Sequence, residues 1–187
     1  MSSVLHWQVI PGPEQTRISL TGAIDEWADL DALFEEIPPR AKVVIDLSQV
    51  KRISSVGVRV WICFMEKLKA HEMPAELEGC SVVIVRQLNM ISQFRGHGIV
   101  RSAYAPYYCA RCNKEQLRLI DLSGDVPAQL RKSMLCPTCG AEIDMDEEEA
   151  LYSEMPSCAP SPRGAIAVRT PRRCGSTRPR ASGRTPR

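Results

Sequence analysis

Residues 42–70 read KVVIDLSQVKRISSVGVRVWICFMEKLKA, and two periodicities meet in them. Lys42 to Leu47 is a short apolar run suited to a central strand. From Val56 to Ala70 the period lengthens. Val60, Trp61, Phe64 and Leu68 fall along one helical stripe, with Arg59, Cys63, Glu66, Lys67 and Ala70 along the wetter side. A strand feeding a helix through Ser54-Ser55 is half of a βαβ unit, so the chain is expected to build an α/β sheet.

The flanks extend that pattern. Residues 16–24, TRISLTGAI, alternate Ile18, Leu20 and Gly22 against polar neighbours, as a strand with one wet face does. Asp25 to Ile37 places Trp27, Leu30, Leu33, Phe34 and Ile37 at helical spacing, and Pro38-Pro39 stops it. Ser81 to Val85 reads as another buried strand. Leu88 to Phe94 reads as a short helix ended by the Gly-His-Gly at 96–98, and Ile99 to Tyr104 as a last strand. The expected fold class is α/β: a mixed sheet with packed helices, a small cysteine module, and a tail.

Three regions follow: an α/β domain over residues 1–105, the cysteine module over 106–145, and an acidic stretch with a tail over 146–187. Asp144 to Glu149 is expected to be a solvated helix end. From Pro156 onward the chain is rich in Arg, Pro, Ser and Gly with few large apolar residues, a composition that predicts disorder. The net charge of +2 hides an asymmetry, because residues 156–187 hold eight Arg and no acid. The other 155 residues carry 16 Lys and Arg against 22 Asp and Glu, a net of −6. Such a body has no general pull toward nucleic acid or an anionic membrane. The first residues, MSSVLHWQVIPGPEQ, lack the basic and apolar regions of a secretory signal. The longest fully apolar run, Val60 to Met65, is too short to span a bilayer. The expectation is a cytoplasmic protein without a membrane partner.

Eight cysteines in a reducing compartment do not suggest a disulfide framework. Four fall into two pairs, Cys109-Ala-Arg-Cys112 and Cys136-Pro-Thr-Cys139. Two intervening residues let a tight turn aim both sulfurs at one ion, and Gly140 is expected to relieve crowding under the second turn. The 23 residues between the pairs suit a hairpin, with Gln116 to Leu122 as a strand and Ser123-Gly124-Asp125 as a turn. Four thiolates leave no open position, so the expected site is structural and holds one zinc in a zinc-ribbon-like module. Iron in a rubredoxin-like site is the rival metal, since tetrahedral S4 geometry suits both. A thiol redox pair is the other reading of Cys-Pro-x-Cys. Cys63 and Cys80 are read as packing residues, and Cys158 and Cys174 as incidental.

The stretch from Val43 to Ile62 resembles the STAS domain of bacterial anti-sigma-factor antagonists. That family shows a strand ending Asp-Leu-Ser-x-Val, a short link, then Asp-Ser-Ser/Thr-Gly-Leu/Val opening an apolar helix. Asp46-Leu47-Ser48, Val50 and Gly57-Val58 match without gaps, and Ser55 falls on the serine that a partner kinase phosphorylates. Ser54 stands where the family has an acid, and Val56 where it has a small hydroxyl residue. The likeness covers about residues 4–105, including Gly22-Ala-Ile-Asp25, and excludes the cysteine module. It implies a protein partner, such as an anti-sigma-factor-like kinase, that docks on a turn of Ser54, Ser55 and Gly57, with phosphorylation of Ser55 as the switch. Physics permits either of two roles there. One serine can simply cap the helix, and a phosphate at a helix N-terminus is also well tolerated.

Nothing in the sequence argues for an enzyme. His6, His71 and His97 lack partners at any recognised catalytic spacing, and no phosphate-binding glycine loop, His-Glu-x-x-His or Gly-x-Ser-x-Gly occurs. Asp25 and Glu26 read as favourable helix-start charges. The expected function is non-enzymatic signalling or regulation through a protein partner. The competing reading is a nucleic-acid-binding regulator using the ribbon and the Arg-rich tail. Arg111, Lys114, Arg118, Arg131 and Lys132 are basic, but Glu115, Asp121, Asp125 and residues 144–149 offset them.

Overall fold

The computed structural model describes residues 4–131 and 134–153. The tail expected to be disordered, with Cys158 and Cys174, lies outside the described residues. The described chain is mixed α/β, with two sheets and five helices.

The first sheet holds β1 (His6–Pro11), β2 (Gln15–Ile24), β3 (Lys42–Ile53), β4 (Ala75–Glu78) and β5 (Ile99–Val100), side by side in that order. β1 and β2 are antiparallel, and β2 through β5 are parallel neighbours. Parallel neighbours need crossovers, which α1 (Leu30–Glu35), α2 (Ser55–Ala70) and α3 (Val82–Met90) supply in turn. The alternation along β3 sorts the two faces. Val43, Ile45 and Leu47 join the core with Trp61, Phe64 and Leu68 of α2. The other face buries Val44 among polar residues. Ser19, Asp46 and Glu78 stand in one row across β2, β3 and β4. Ion pairs cross that face from Arg17 to Glu78 at 2.9 Å and from Lys42 to Glu76 at 3.2 Å.

Several expectations are corrected. β3 runs to Ile53 rather than stopping at Leu47, and β1 and β4 had no counterpart in the sequence reading. The helix expected from Asp25 begins only at Leu30. Asp25 Oδ1 accepts from Trp27 N at 3.0 Å and Asp29 Oδ1 from Ala32 N at 3.0 Å, so these short acids form a turn and a cap instead of a first helical turn. Trp27, placed at helical spacing with Leu30 and Leu33, lies before the helix and is exposed. The strand expected over Ser81 to Val85 is the start of α3, and Ser81 Oγ donates to Val50 O at 2.7 Å. With β4 already filling the sheet, Ile84 and Val85 pack into the core from a helix.

The second sheet holds β6 (Ser102–Cys109), β7 (Lys114–Asp121), β8 (Met134–Leu135) and β9 (Glu142–Met145), in spatial order β7-β6-β9-β8, with every pairing antiparallel. Two short helices, α4 (Val126–Arg131) and α5 (Ala150–Ser153), complete it. β6 is also stitched to the first sheet: Cys80 bridges Ala103, and Tyr104 N donates to Cys80 O at 2.8 Å. A boundary between residues 105 and 106 therefore falls inside one strand. One hydrophobic core includes Ile84 and Val85 of α3 together with Ala105, Tyr107, Ile120 and Ile143 of the second sheet. The acidic stretch is not a solvated helix end. Residues 144 and 145 lie in β9, Glu147 pairs with Arg86 of α3, and Tyr152 is buried with its hydroxyl donating to Tyr104 O at 3.1 Å.

Candidate metal centre and serine turn

Each cysteine pair sits on a reverse turn closed in the same way. In the first, at the β6–β7 connection, Asn113 N donates to Cys109 O at 2.8 Å. In the second, Gly140 N donates to Cys136 O at 2.9 Å, and Cys136 N to Ala141 O at 2.7 Å. The residue after each second cysteine is left-handed, with φ 55° at Asn113 and 69° at Gly140. A Cβ on Gly140 would meet nothing within 4 Å, so its glycine answers to backbone conformation and not to the crowding expected from the sequence. Asparagine, the next most tolerant residue of that region, serves the first turn.

The two turns face each other. Cys109 Sγ lies 3.5 Å from Cys139 Sγ, and Cys112 Sγ lies 3.5 Å from Cys136 Sγ. All four sulfurs lie within 4.8 Å of one another. A tetrahedron of thiolates about 2.3 Å from a central ion has sulfur–sulfur edges of about 3.8 Å, so the four cysteines fit one metal ion. Cys109 and Cys136 are buried, while Cys112 and Cys139 are half-buried. Burial acts upward on the Cys136 thiol, yet N–H groups of Thr138 and Cys139 aimed at its sulfur bring it down to about 6. Burial, then the neighbouring sulfurs, push Cys112 up to about 12. Donors pointed at sulfur favour the thiolate that a metal requires. Neither pair opens a helix, as a redox centre of the Cys-Pro-x-Cys kind would. The segment between the pairs holds a helix, α4, besides the expected strand and turn.

The serine turn is built on the end of β2. Ser54 N donates to Ile24 O at 3.0 Å, and Ser54 Oγ accepts from Gly57 N at 3.0 Å, which makes Ser54 the helix cap. Ser55 is the first residue of α2 and is exposed. Gly57 is buried, and a Cβ there would lie 1.9 Å from Ile24 O. The glycine is thus consumed by contact between helix and strand, and it is not available to a docking partner. The docking turn named from the sequence reduces to Ser54 and Ser55. Asp25, 5% exposed, accepts from Trp27 N and lies 3.6 Å from Arg52. It orders a turn and starts no helix.

The remaining candidates are structural. His97 Nε2 faces Met73 O at 2.8 Å in the turn after α3. Cys80 is buried, and burial pushes its thiol up, as suits a packing residue. Trp27 was missed as a surface feature. Asp29, a cap residue one position before the apolar run resumes, is the signal that would have placed Trp27 outside the helix.

No protein-family model matches this chain, and no curated protein matches it. A solved structure described as "Crystal Structure Analysis of Mglu" is similar over 37% of this chain at 29% identity, with a TM-score of 0.34. The chain covers 18% of that protein's length, and a likeness of this degree carries no argument about fold or function. Among the described residues no helix is long and apolar enough to cross a membrane.

Proposed function

We propose that this protein is a non-enzymatic cytoplasmic regulator whose STAS-like domain docks a protein partner at the serine turn, with Ser55 as its phosphorylation site and one structural zinc in the cysteine module. The observation that carries the docking reading is the division of labour between the two serines. Ser54 is occupied as the cap, whereas Ser55 is exposed at the mouth of α2. A phosphate on Ser55 would meet unpaired N–H groups and the positive end of the helix, and would add about −1.5 to −2 charge to the surface. A kinase of the anti-sigma-factor type is the partner the resemblance favours. Zinc is preferred because a closed tetrahedral thiolate set is its usual structural site, and thiolates stay available in a reducing compartment.

Affinity capture from the native cell with wild type, Ser55→Ala and Ser55→Asp, alongside mass spectrometry of the native protein, tests the docking reading. The captured partner should persist with Ser55→Ala and fall at least tenfold with Ser55→Asp, about 1.4 kcal/mol. Equal capture by both variants refutes the switch. Metal analysis tests the zinc, and a red, iron-loaded protein refutes it.

A further inference from the structure

The surface around Ser55 has a definite chemistry. Trp27 is 76% exposed and Val56 44% exposed. Lys51, Arg52 and Arg59 are exposed as well. Among the described residues Lys51 and Arg59 form no ion pair, and Arg52 has only the 3.6 Å approach to Asp25. The backbone segments that carry them are neighbours. Ala23 pairs with Arg52 and Ile24 with Ile53 in the β2–β3 register, and Ser54 N is bound to Ile24 O. Asp25 then ties the Trp27 backbone to Arg52. Arg59 lies one helical turn beyond Ser55, on the same face of α2.

Exposed Trp and Arg side chains are the residue types in which binding energy concentrates at protein interfaces. Resting on the reading of the serine turn as a docking face, we infer that this patch receives an acidic segment of a partner protein that carries an apolar side chain. Trp27 and Val56 cover the apolar side chain, and Lys51, Arg52 and Arg59 face its carboxylates. A nucleic-acid strand fits less well. Glu26 and Asp29 are exposed within two residues of Trp27, so a continuous polyanion would run into like charge that a short segment can avoid. The same sign of charge explains how phosphorylation of Ser55 would act: it offsets the cations that hold the partner.

The probe is a short synthetic peptide of glutamate and leucine, titrated into the full-length protein and followed by anisotropy of a label on the peptide. The peptide should bind wild type, with at least tenfold weaker binding for Trp27→Ala and for Arg59→Glu, each checked for unchanged circular dichroism. A control peptide with lysine in place of glutamate should not bind. Equal affinity across these variants overturns the inference, as does equal binding of the lysine peptide or tighter binding of an oligothymidylate. Ser55→Asp separates the two proposals. If it leaves peptide affinity unchanged while Trp27→Ala weakens it, the patch stands and the switch fails. If Ser55→Asp alone weakens binding, the switch stands and this patch fails.

Discussion

Gly57→Ala is expected to destabilise the protein by about 2–4 kcal/mol, although it adds one methyl group at a helical position where alanine is the better helix former. The added Cβ would lie 1.9 Å from Ile24 O, 2.5 Å from Ile24 C and 3.0 Å from Asp25 N, all backbone atoms. Ordinary contact needs a separation of about 1 Å or more beyond that. Neither side can yield freely, because Ser54 N holds Ile24 O at 3.0 Å and Ser54 Oγ holds Gly57 N at 3.0 Å. Forcing them apart carries an overpacking cost of about 1–3 kcal/mol. Losing the cap adds about 1 kcal/mol and losing the Ser54–Ile24 bond about 1 more. The helix propensity of alanine returns about 1 kcal/mol. Urea unfolding followed by far-UV circular dichroism should show the midpoint falling by roughly 1–2 M with an unchanged slope. Ser54→Ala should lose only about 1 kcal/mol, and Ser55→Ala should stay within about 0.5 kcal/mol as an exposed substitution. A Gly57→Ala protein within about 1 kcal/mol of wild type would mean that α2 stands off Ile24. The glycine would then be open to a partner, as the sequence pattern alone suggests.

Purified protein should carry one metal ion per chain, and Cys136→Ser should release it and expose residues 106–145 to limited proteolysis; metal retained by the variant would refute the ligand set. Glu76 sits between Arg101 at 2.5 Å and Lys42 at 3.2 Å, and the hydrogen bond from Arg101 leads in holding its carboxyl below the ordinary range, against the upward pull of burial. A depressed carboxyl stabilises the fold above its unfolded pKa and loses that contribution as pH falls through the folded value. Glu76→Gln should therefore cost about 1–2 kcal/mol at neutral pH, since both cations are partly exposed, and should converge with wild type only in acid below the depressed folded value. A constant difference across that range would refute the ion-pair account. Tyr152→Ala should cost about 3 kcal/mol and Tyr152→Phe about 1 kcal/mol in the same denaturation assay, because the ring is buried and its hydroxyl binds Tyr104 O. Wild-type stability for Tyr152→Ala would mean that the segment after β9 does not dock.

Much of the fold can be read from elements whose sequence has one dominant signal. The apolar run from Lys42 and the long α2 helix are strongly patterned and set off by a capping serine, and both are present. The cysteine cluster is equally legible, because ligand chemistry fixes spacing regardless of what surrounds it. Errors gather where local preference and tertiary context disagree. Val82, Val83, Ile84 and Val85 favour a strand by side-chain type, but Ala75–Glu78 occupies the sheet position and leaves them a helix. β4 itself is short, and its Glu76 and Glu78 alternate toward the polar face, so it offers little apolar signal. In the segment from Asp25 to Asp29, helical spacing of apolar residues competes with side-chain hydrogen bonds to the backbone. The hydrogen bonds prevail, and Trp27 is left outside the helix and exposed.

The cysteine module is not an appendage to the α/β sheet. A single strand connects them: β6 begins beside Cys80, contributes Ala103 and Ala105 to the shared core, and ends at Cys109 of the four-cysteine cluster. Any loosening of the metal site must act on a strand whose first half is hydrogen-bonded to the first sheet. The segment after β9 closes the arrangement from the other side, with Glu147 on Arg86 and Tyr152 under Tyr104. Both attachments converge on α3 and β6. The turn before α2 is held by Ile24, through Ser54 N, and not by the cysteines.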